Sequence, residues 1–287
     1  MKFTKVMALV LACLMVAAFA FTSCTNDAPV DDVKNNDAEN AVENNEEENN
    51  EEENNEEENN EEVTEPEYIV MATNAFFKPY EYYEGDKIIG IDAEIAEKIA
   101  EKLGKTLKIE DMEFSSIITA VQEGSVDFGM AGMTVTEERL ESVNFTSSYA
   151  NGIQSIIVKE DSAITSVDSL YEEGAAYKVG VQLGTTGDTY SSDDFGAERV
   201  IQYSTGNEAV LALAGGSVDC VIIDNEPAKA LVAENEGLKI LDTSYADDDY
   251  AICVAKENTE LLDSLNAAID ELTADGTIDA IVSKYIK

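Results

Sequence analysis

The phrase Gly-Ser-Val-Asp occurs twice in this chain, at 124–127 and 216–219, and both times in the same company. In AVQEGSVDFGM, 120–130, and ALAGGSVDCVI, 212–222, an apolar-periodic helix closes, glycine turns the chain and an apolar strand begins. Four shared letters alone could coincide. A shared helix, turn and strand at a fixed offset predicts two lobes of related architecture.

From Tyr68 onward, short β-rich runs alternate with amphipathic helices, the rhythm of an α/β fold. YIVMAT reads as the first strand. Asp92 reads as the cap of DAEIAEKIAEKLG, whose Ile95, Ala96, Ile99, Ala100 and Leu103 share one helical face before Gly104 stops it. TLKIEDM is the second strand, Ser115 and Ser116 start a helix through Val121, and VDFGMAGM reads as a buried strand. QSIIVKE, 154–160, then carries the chain into a second lobe with strands KVGVQLG, ERVIQY and VDCVIID, and YAICVAK, 250–256, carries it back. Two closing helices, ELLDSLNAAIDELTADG and IDAIVSKYI, cover the first lobe. The reading places one lobe at 68–153 plus 254–287 and the other at 154–253, joined by two strands that form a hinge.

Upstream, the chain has a different character. Lys2 and Lys5 precede an apolar run from Val6 to Phe21 that breaks at Thr22, Ser23 and Cys24, which predicts a lipoprotein signal peptide over 1–23. The run is too short for the roughly 20 residues of a bilayer-spanning helix. Cys24 is the expected lipidation site. Cys13 offers a competing match inside the run, and a plain secretory peptide cut elsewhere is the alternative. Residues 24–67 form an acidic Asn/Glu-rich tether that repeats NNEEE three times and carries 19 acids against Lys34 alone. It cannot bury enough apolar surface to fold and is expected to be disordered.

The formal net charge of −42 disfavours nucleic acid and anionic lipid head groups, because phosphate binding needs clustered Lys and Arg. No histidine is present, so His-based triads and HExxH zinc sites are excluded. Cys220 and Cys253 lie in apolar strand-like runs, as buried free thiols or as a disulfide.

AGMTVTEER, 131–139, is the sharpest constellation, since it sets a glycine, two threonines and an arginine where a strand gives way to a helix. Unpaired N–H groups and partial positive charge suit an anion there, and Gly132 lets backbone approach closely. Thr134 or Thr136 can cap the helix. Arg139 is one of two arginines, with Arg199, and suits a bidentate carboxylate contact; it could equally pair with Glu138 or Glu141 on a helix surface. GVQLGTTGD, 180–188, repeats the device with Thr185 and Thr186, though capping alone would explain it. Asp224 emerges at the carboxyl end of VDCVIID, where it could hold an ammonium or cap the helix NEPAKALVAEN. Phe77 and Phe114 read as core or as cleft walls.

Taken together, FFKPYEYYEGDKIIGIDAEIAEKIAEKLG, AGMTVTEER with NFTSSYANG, VGVQLGTTG and VDCVIIDN resemble family 3 of the bacterial extracellular solute-binding proteins, over 68–287. The resemblance implies a type 2 periplasmic-binding-protein-like fold. It also implies a role as the extracytoplasmic component of an amino acid ABC importer. By position, Arg139 and the backbone at Thr134 correspond to partners of the ligand α-carboxylate, assisted by Thr186. Asp224 corresponds to the ammonium partner, with Gly132 and Thr134 helping, and Phe77 and Phe114 to aromatic walls. Asn74 stands where some relatives that bind basic amino acids carry an acid, which weakens a cationic-ligand assignment, and Gly187 where several place a larger polar residue.

The expected partners are a small polar amino acid, a permease and, through Cys24, the outer face of the cell membrane. The chain is expected to be a monomer with no cofactor, no metal and no catalytic residue. Two rival readings share the fold: a dehydratase-like enzyme and an amino-acid-sensing partner of a membrane receptor.

Overall fold

The computed structural model describes residues 67–242 and 244–287. The expected signal peptide, the expected lipidation site Cys24 and the expected tether before Glu67 lie outside the described residues. Two sheets organise the described chain. In the first, strands run in the order Thr106–Asp111, Tyr68–Thr73, Phe128–Gly129, Cys253–Ala255 and Val143–Phe145. The first three are mutually parallel, and the returning strand Cys253–Ala255 is antiparallel to both of its neighbours. The second sheet orders Val200–Tyr203, Val179–Gln182, Cys220–Asp224, Ala150–Lys159 and Leu238–Ile240, with Ala246–Tyr250 also paired to Ala150–Lys159. A small antiparallel sheet of Phe76–Phe77, Glu81–Glu84 and Lys87–Ile89 leads into the first helix, Ile91–Lys102.

The repeated phrase performs the same backbone task twice. Helix Ile117–Glu123 ends on Gly124 at φ 69°, and helix Gly206–Gly215 on Gly216 at φ 78°, left-handed conformations in which a side chain would be strained. Val126 and Val218 then enter the core. The closing aspartates grip the start of the neighbouring strand: Asp127 accepts from Val70 N at 2.7 Å and Asp219 from Lys178 N at 2.7 Å. In return each aspartate's own N–H donates to that residue's carbonyl, at 2.9 and 2.8 Å. GSVD is thus a device that fixes where the central strand of each sheet begins.

Between the sheets the chain passes at 146–149 and again at 251–252. The two passages lie side by side, with Thr146 N donating to Ile252 O, Tyr149 N to Tyr250 O, and Ile252 N to the Thr146 hydroxyl.

Three local expectations need correction. Asp92 does not cap its helix: Gly90 holds the N-cap position at φ 132°, and the Asp92 carboxylate turns fully inward. The expected strand VDFGMAGM pairs only over Phe128–Gly129, because Gly132, at φ 54°, turns the chain away while Met130, Ala131 and Met133 stay buried. YAICVAK is interrupted at Ala251 and Ile252, where Ala251 N donates to Met133 O instead of to a ladder partner.

Cys220 and Cys253 are free and buried, in different sheets, and burial pushes both thiols up to about 12. Arg199 is structural: its guanidinium donates to the carbonyls of Tyr177 and Leu170. Among the described residues no helix is long and apolar enough to cross a membrane.

Losing the strand-gripping carboxylates should be measurable. Asp127→Ala is expected to lower stability by about 1.5–3 kcal/mol in urea unfolding, the range for hydrogen bonds to charged groups, and Asp219→Ala by less because it is exposed. Equal stability of Asp127→Ala and wild type would contradict the assigned role.

Candidate functional site

A crevice opens where the strands of the first sheet give out. Its first wall is the turn after Phe128–Gly129. Gly132 lies so close to Phe77 that a Cβ there would come 2.7 Å from the ring, which explains why glycine occupies the position. Thr134 is buried and forms an isolated bridge with Tyr250. Thr136, not Thr134, caps the short helix Glu137–Ser142 by accepting from Arg139 N at 3.1 Å.

That helix brings Arg139 back over the crevice. One guanidinium nitrogen donates to Thr134 O at 2.6 Å and the other to Gly184 O on the opposite wall at 3.0 Å. Its carbon sits 5.4 Å from the Phe114 ring centre, in cation–π range. These contacts run into the crevice.

The second wall follows the strand Val179–Gln182. Thr185 caps the helix Thr186–Phe195, accepting from Asp188 N at 3.3 Å, so capping belongs to the first threonine of the pair. Thr186 is buried and receives Gln154 Nε2 at 3.3 Å. Asp224 holds the N-cap position of helix Asn225–Glu234 but makes no capping bond; its carboxylate accepts the Tyr250 hydroxyl. Gln182 reaches across to Asn74, its amide donating to Asn74 Oδ1 at 2.9 Å, while Asn74 donates to Met112 O at 2.8 Å. At the rim Lys78 and Glu234 pair at 3.6 Å. Bridged in this way, the two walls are closed on each other.

All eight residues singled out from the sequence line this one crevice: Asn74, Phe77, Phe114, Gly132, Thr134, Arg139, Thr186 and Asp224. Among the lining residues not singled out are Glu81 and Gln182. Gln182 lies within the phrase GVQLGTTGD, where its Gly and Thr neighbours carry the stronger signal. Glu81, between two tyrosines in a hairpin strand, carries no sequence signal that separates it from a solvated acid.

Glu81 is fully buried, and neither of its oxygens has a conventional donor. Its neighbour is Asp92, whose Oδ2 accepts Gly132 N at 2.8 Å and the Tyr149 hydroxyl at 2.7 Å, while Oδ1 has no conventional donor either. Two such carboxyls meet favourably only when one carries a proton that it donates to the other. The donors to Asp92 favour its anion, so the proton sits on Glu81. Burial raises the Glu81 carboxyl well above its ordinary range, reinforced by the charge of Asp92 and by the hydrogen bond between them. Burial likewise lifts Asp92, to about 6, against the opposing pull of Gly132 and Tyr149. Among the described residues no His, Cys, Asp or Glu cluster has the arrangement of a metal site.

Because both acids bind protons more tightly folded than unfolded, their contribution favours the fold below the unfolded carboxylate range, near pH 4, and is lost as pH rises through about 6 and beyond. Glu81→Gln should therefore melt progressively higher than wild type between pH 5 and pH 8 in the absence of ligand, as followed by thermal denaturation. A difference in melting temperature that is constant with pH would contradict the protonated assignment.

Three comparisons with known proteins bear on this geometry. Residues 69–287 match the bacterial extracellular solute-binding proteins, family 3. The arginine-binding extracellular protein ArtP of Bacillus subtilis is 30% identical over 226 residues, covering 76% of this chain and 85% of the relative. The glutamine-binding protein GlnH of the same organism is 32% identical over 204 residues, covering 70% and 74%. An ancestral arginine-binding protein solved bound to glutamine superposes with a TM-score of 0.72 at 36% identity, over 78% of this chain and 99% of that one.

Proposed function

The chain belongs to the bacterial extracellular solute-binding proteins, family 3, and from that premise we propose that it captures an amino acid zwitterion between its two lobes for an ABC importer. The single observation that carries the reading is the position of Arg139 and Asp224. A guanidinium from one lobe and a carboxylate from the other line the same crevice, the guanidinium already donating across it to Gly184 O.

In this reading the α-carboxylate takes the place of the Gly184 carbonyl as acceptor for Arg139, because a carboxylate brings full opposite charge and two oxygens for the planar guanidinium where a carbonyl brings one partial charge. The Thr134 backbone and Thr186 assist. The ammonium is held by Asp224, with Gly132 and Thr134 nearby, and Phe77 and Phe114 flank the side chain. Only closure satisfies both poles, so the two lobes, one built on each large sheet, turn about the paired passages at 146–149 and 251–252. Micromolar affinity needs about 8 kcal/mol net, within reach of two desolvated charge contacts and aromatic packing after ordering costs.

The curated relatives are named as arginine-, glutamine-, histidine- and cystine-binding proteins, which supports a polar amino acid as ligand. They are binding proteins, not enzymes, and we assign this chain no catalytic residue. Secretion and anchoring through Cys24, on a tether long enough to let the lobes search near the membrane, and a monomeric state complete the proposal.

Arg139→Ala is expected to weaken amino acid binding by about ten-fold or more in calorimetric titration, while unfolding stays cooperative. Unchanged affinity would remove Arg139 from the site.

A further inference from the structure

Asp92 is a fully buried acid whose two donors belong to different parts of the binding apparatus. A single oxygen, Oδ2, accepts the Gly132 N–H at 2.8 Å, from the wall of the crevice, and the Tyr149 hydroxyl at 2.7 Å, from a passage between the sheets. The acid stands in the first turn of the helix Ile91–Lys102, where the partial positive charge of the helix start favours an anion, and its own N–H donates to Tyr80 O at 2.9 Å. Burying a carboxylate is unfavourable unless donors compensate it, and a packed apolar side chain would fill the same volume without that cost. The two donors are therefore the reason for an acid at this position.

Each donor sits where the backbone must be held. Gly132, at φ 54°, turns the chain out of the first sheet, and its neighbours are tied elsewhere: Met130 N donates to Ala72 O and Ala251 N to Met133 O, at 3.0 Å each. The N–H of the turn itself goes to Asp92. Tyr149 N donates to Tyr250 O at 3.0 Å, so Tyr149 belongs to the paired passages about which the lobes are proposed to turn, and its buried phenol runs back to the first helix. We propose that Asp92 is a positioning residue that locks the Gly132 wall and the Tyr149 pivot to each other, so that amino acid binding and lobe closure work from one fixed geometry. This deepens the amino acid reading above and rests on it. Along the 146–149 passage, rotation is then confined to the chain beyond Tyr149, and the wall meets the ligand ammonium in the same place at every closure. A wall held in place beforehand raises affinity, because binding does not have to order it.

The test is calorimetric titration of the whole protein with arginine and with glutamine, or, if neither binds, with whichever of the twenty amino acids does, beside urea unfolding of each variant. Asp92→Ala should weaken binding by about ten-fold or more, since it releases both donors of a charged acceptor. Asp92→Asn, whose carbonyl oxygen can accept both donors while its amide donates to Glu81, should bind within about three-fold of wild type. Tyr149→Phe should weaken binding by about three-fold or more, and the double variant Asp92→Ala/Tyr149→Phe should bind no more weakly than Asp92→Ala, because the two residues act as one unit. The Gly132 amide proton resonance should move in Tyr149→Phe, since both donors share one oxygen. That measurement and the Tyr149→Phe titration decide the matter if Asp92→Ala fails to fold. An Asp92→Ala protein that is less stable but binds like wild type makes Asp92 purely structural and overturns the proposal. Asp92→Asn binding as weakly as Asp92→Ala overturns it too, as do additive losses in the double variant, or a Tyr149→Phe protein with unchanged affinity and an unmoved Gly132 resonance. In each of these cases wild type still binds and the amino acid reading stands. Failure of wild type to bind any of the twenty amino acids overturns both.

Discussion

The crevice is built against the ring of Tyr250. This side chain is fully buried at the end of a second-sheet strand, where the chain is about to return to the first lobe. Its hydroxyl donates to Asp224 of the second lobe, its backbone bridges Thr134 of the first, and its ring meets Tyr80 edge-on at 5.1 Å. Gly132 and Gly152 both face it with no side chain of their own, and a Cβ at Gly152 would collide with the phenol. One residue thus fixes the rotamer of the proposed ammonium partner and the turn that shapes the opposite wall. It does so at the passage about which the lobes are proposed to move. Closure and the orientation of Asp224 are therefore physically linked.

Around that ring the protein keeps an unusual density of buried ionisable groups: Glu81, Asp92 and Asp224 lie close together behind aromatic side chains. Burying several carboxylates in one place is unfavourable unless they are protonated, hydrogen-bonded or paired. Asp92 is held as an anion by Gly132 N–H and Tyr149, Asp224 accepts Tyr250, and Glu81 keeps a proton. Arg139 is likewise supplied with an acceptor, donating across the crevice to Gly184 O.

Much of this is legible in the residues. The GSVD repeat reflects a real constraint, since Asp127 and Asp219 make the same reciprocal bonds to Val70 and Lys178. Scarcity makes Arg139 visible, because an arginine in a chain that otherwise uses lysine points to geometry and not to charge alone. The features that stay hidden depend on contacts distant in sequence. An aspartate in the first turn of a helix looks like a cap whether it caps or turns inward. For Asp92 the choice is made by Gly90 and by donors at Gly132 and Tyr149. Glu81 is a buried acid beside Asp92, a neighbour eleven positions along the chain that the hairpin's own pattern does not announce. The strand VDFGMAGM looks continuous because apolar runs show burial but not hydrogen-bond partners, and the turn at Gly132 depends on the nearness of Phe77.

If opposite poles of one amino acid are held from facing lobes, each pole must be indispensable to binding. The sharpest check is to titrate the protein with an amino acid that binds and with two analogues of it, one lacking the carboxylate and one lacking the amino group. Either deletion is expected to weaken binding by about 30-fold or more, roughly 2 kcal/mol at the least for each desolvated charge pair broken. An analogue without one pole that binds as tightly as its parent would contradict the two-lobed grip.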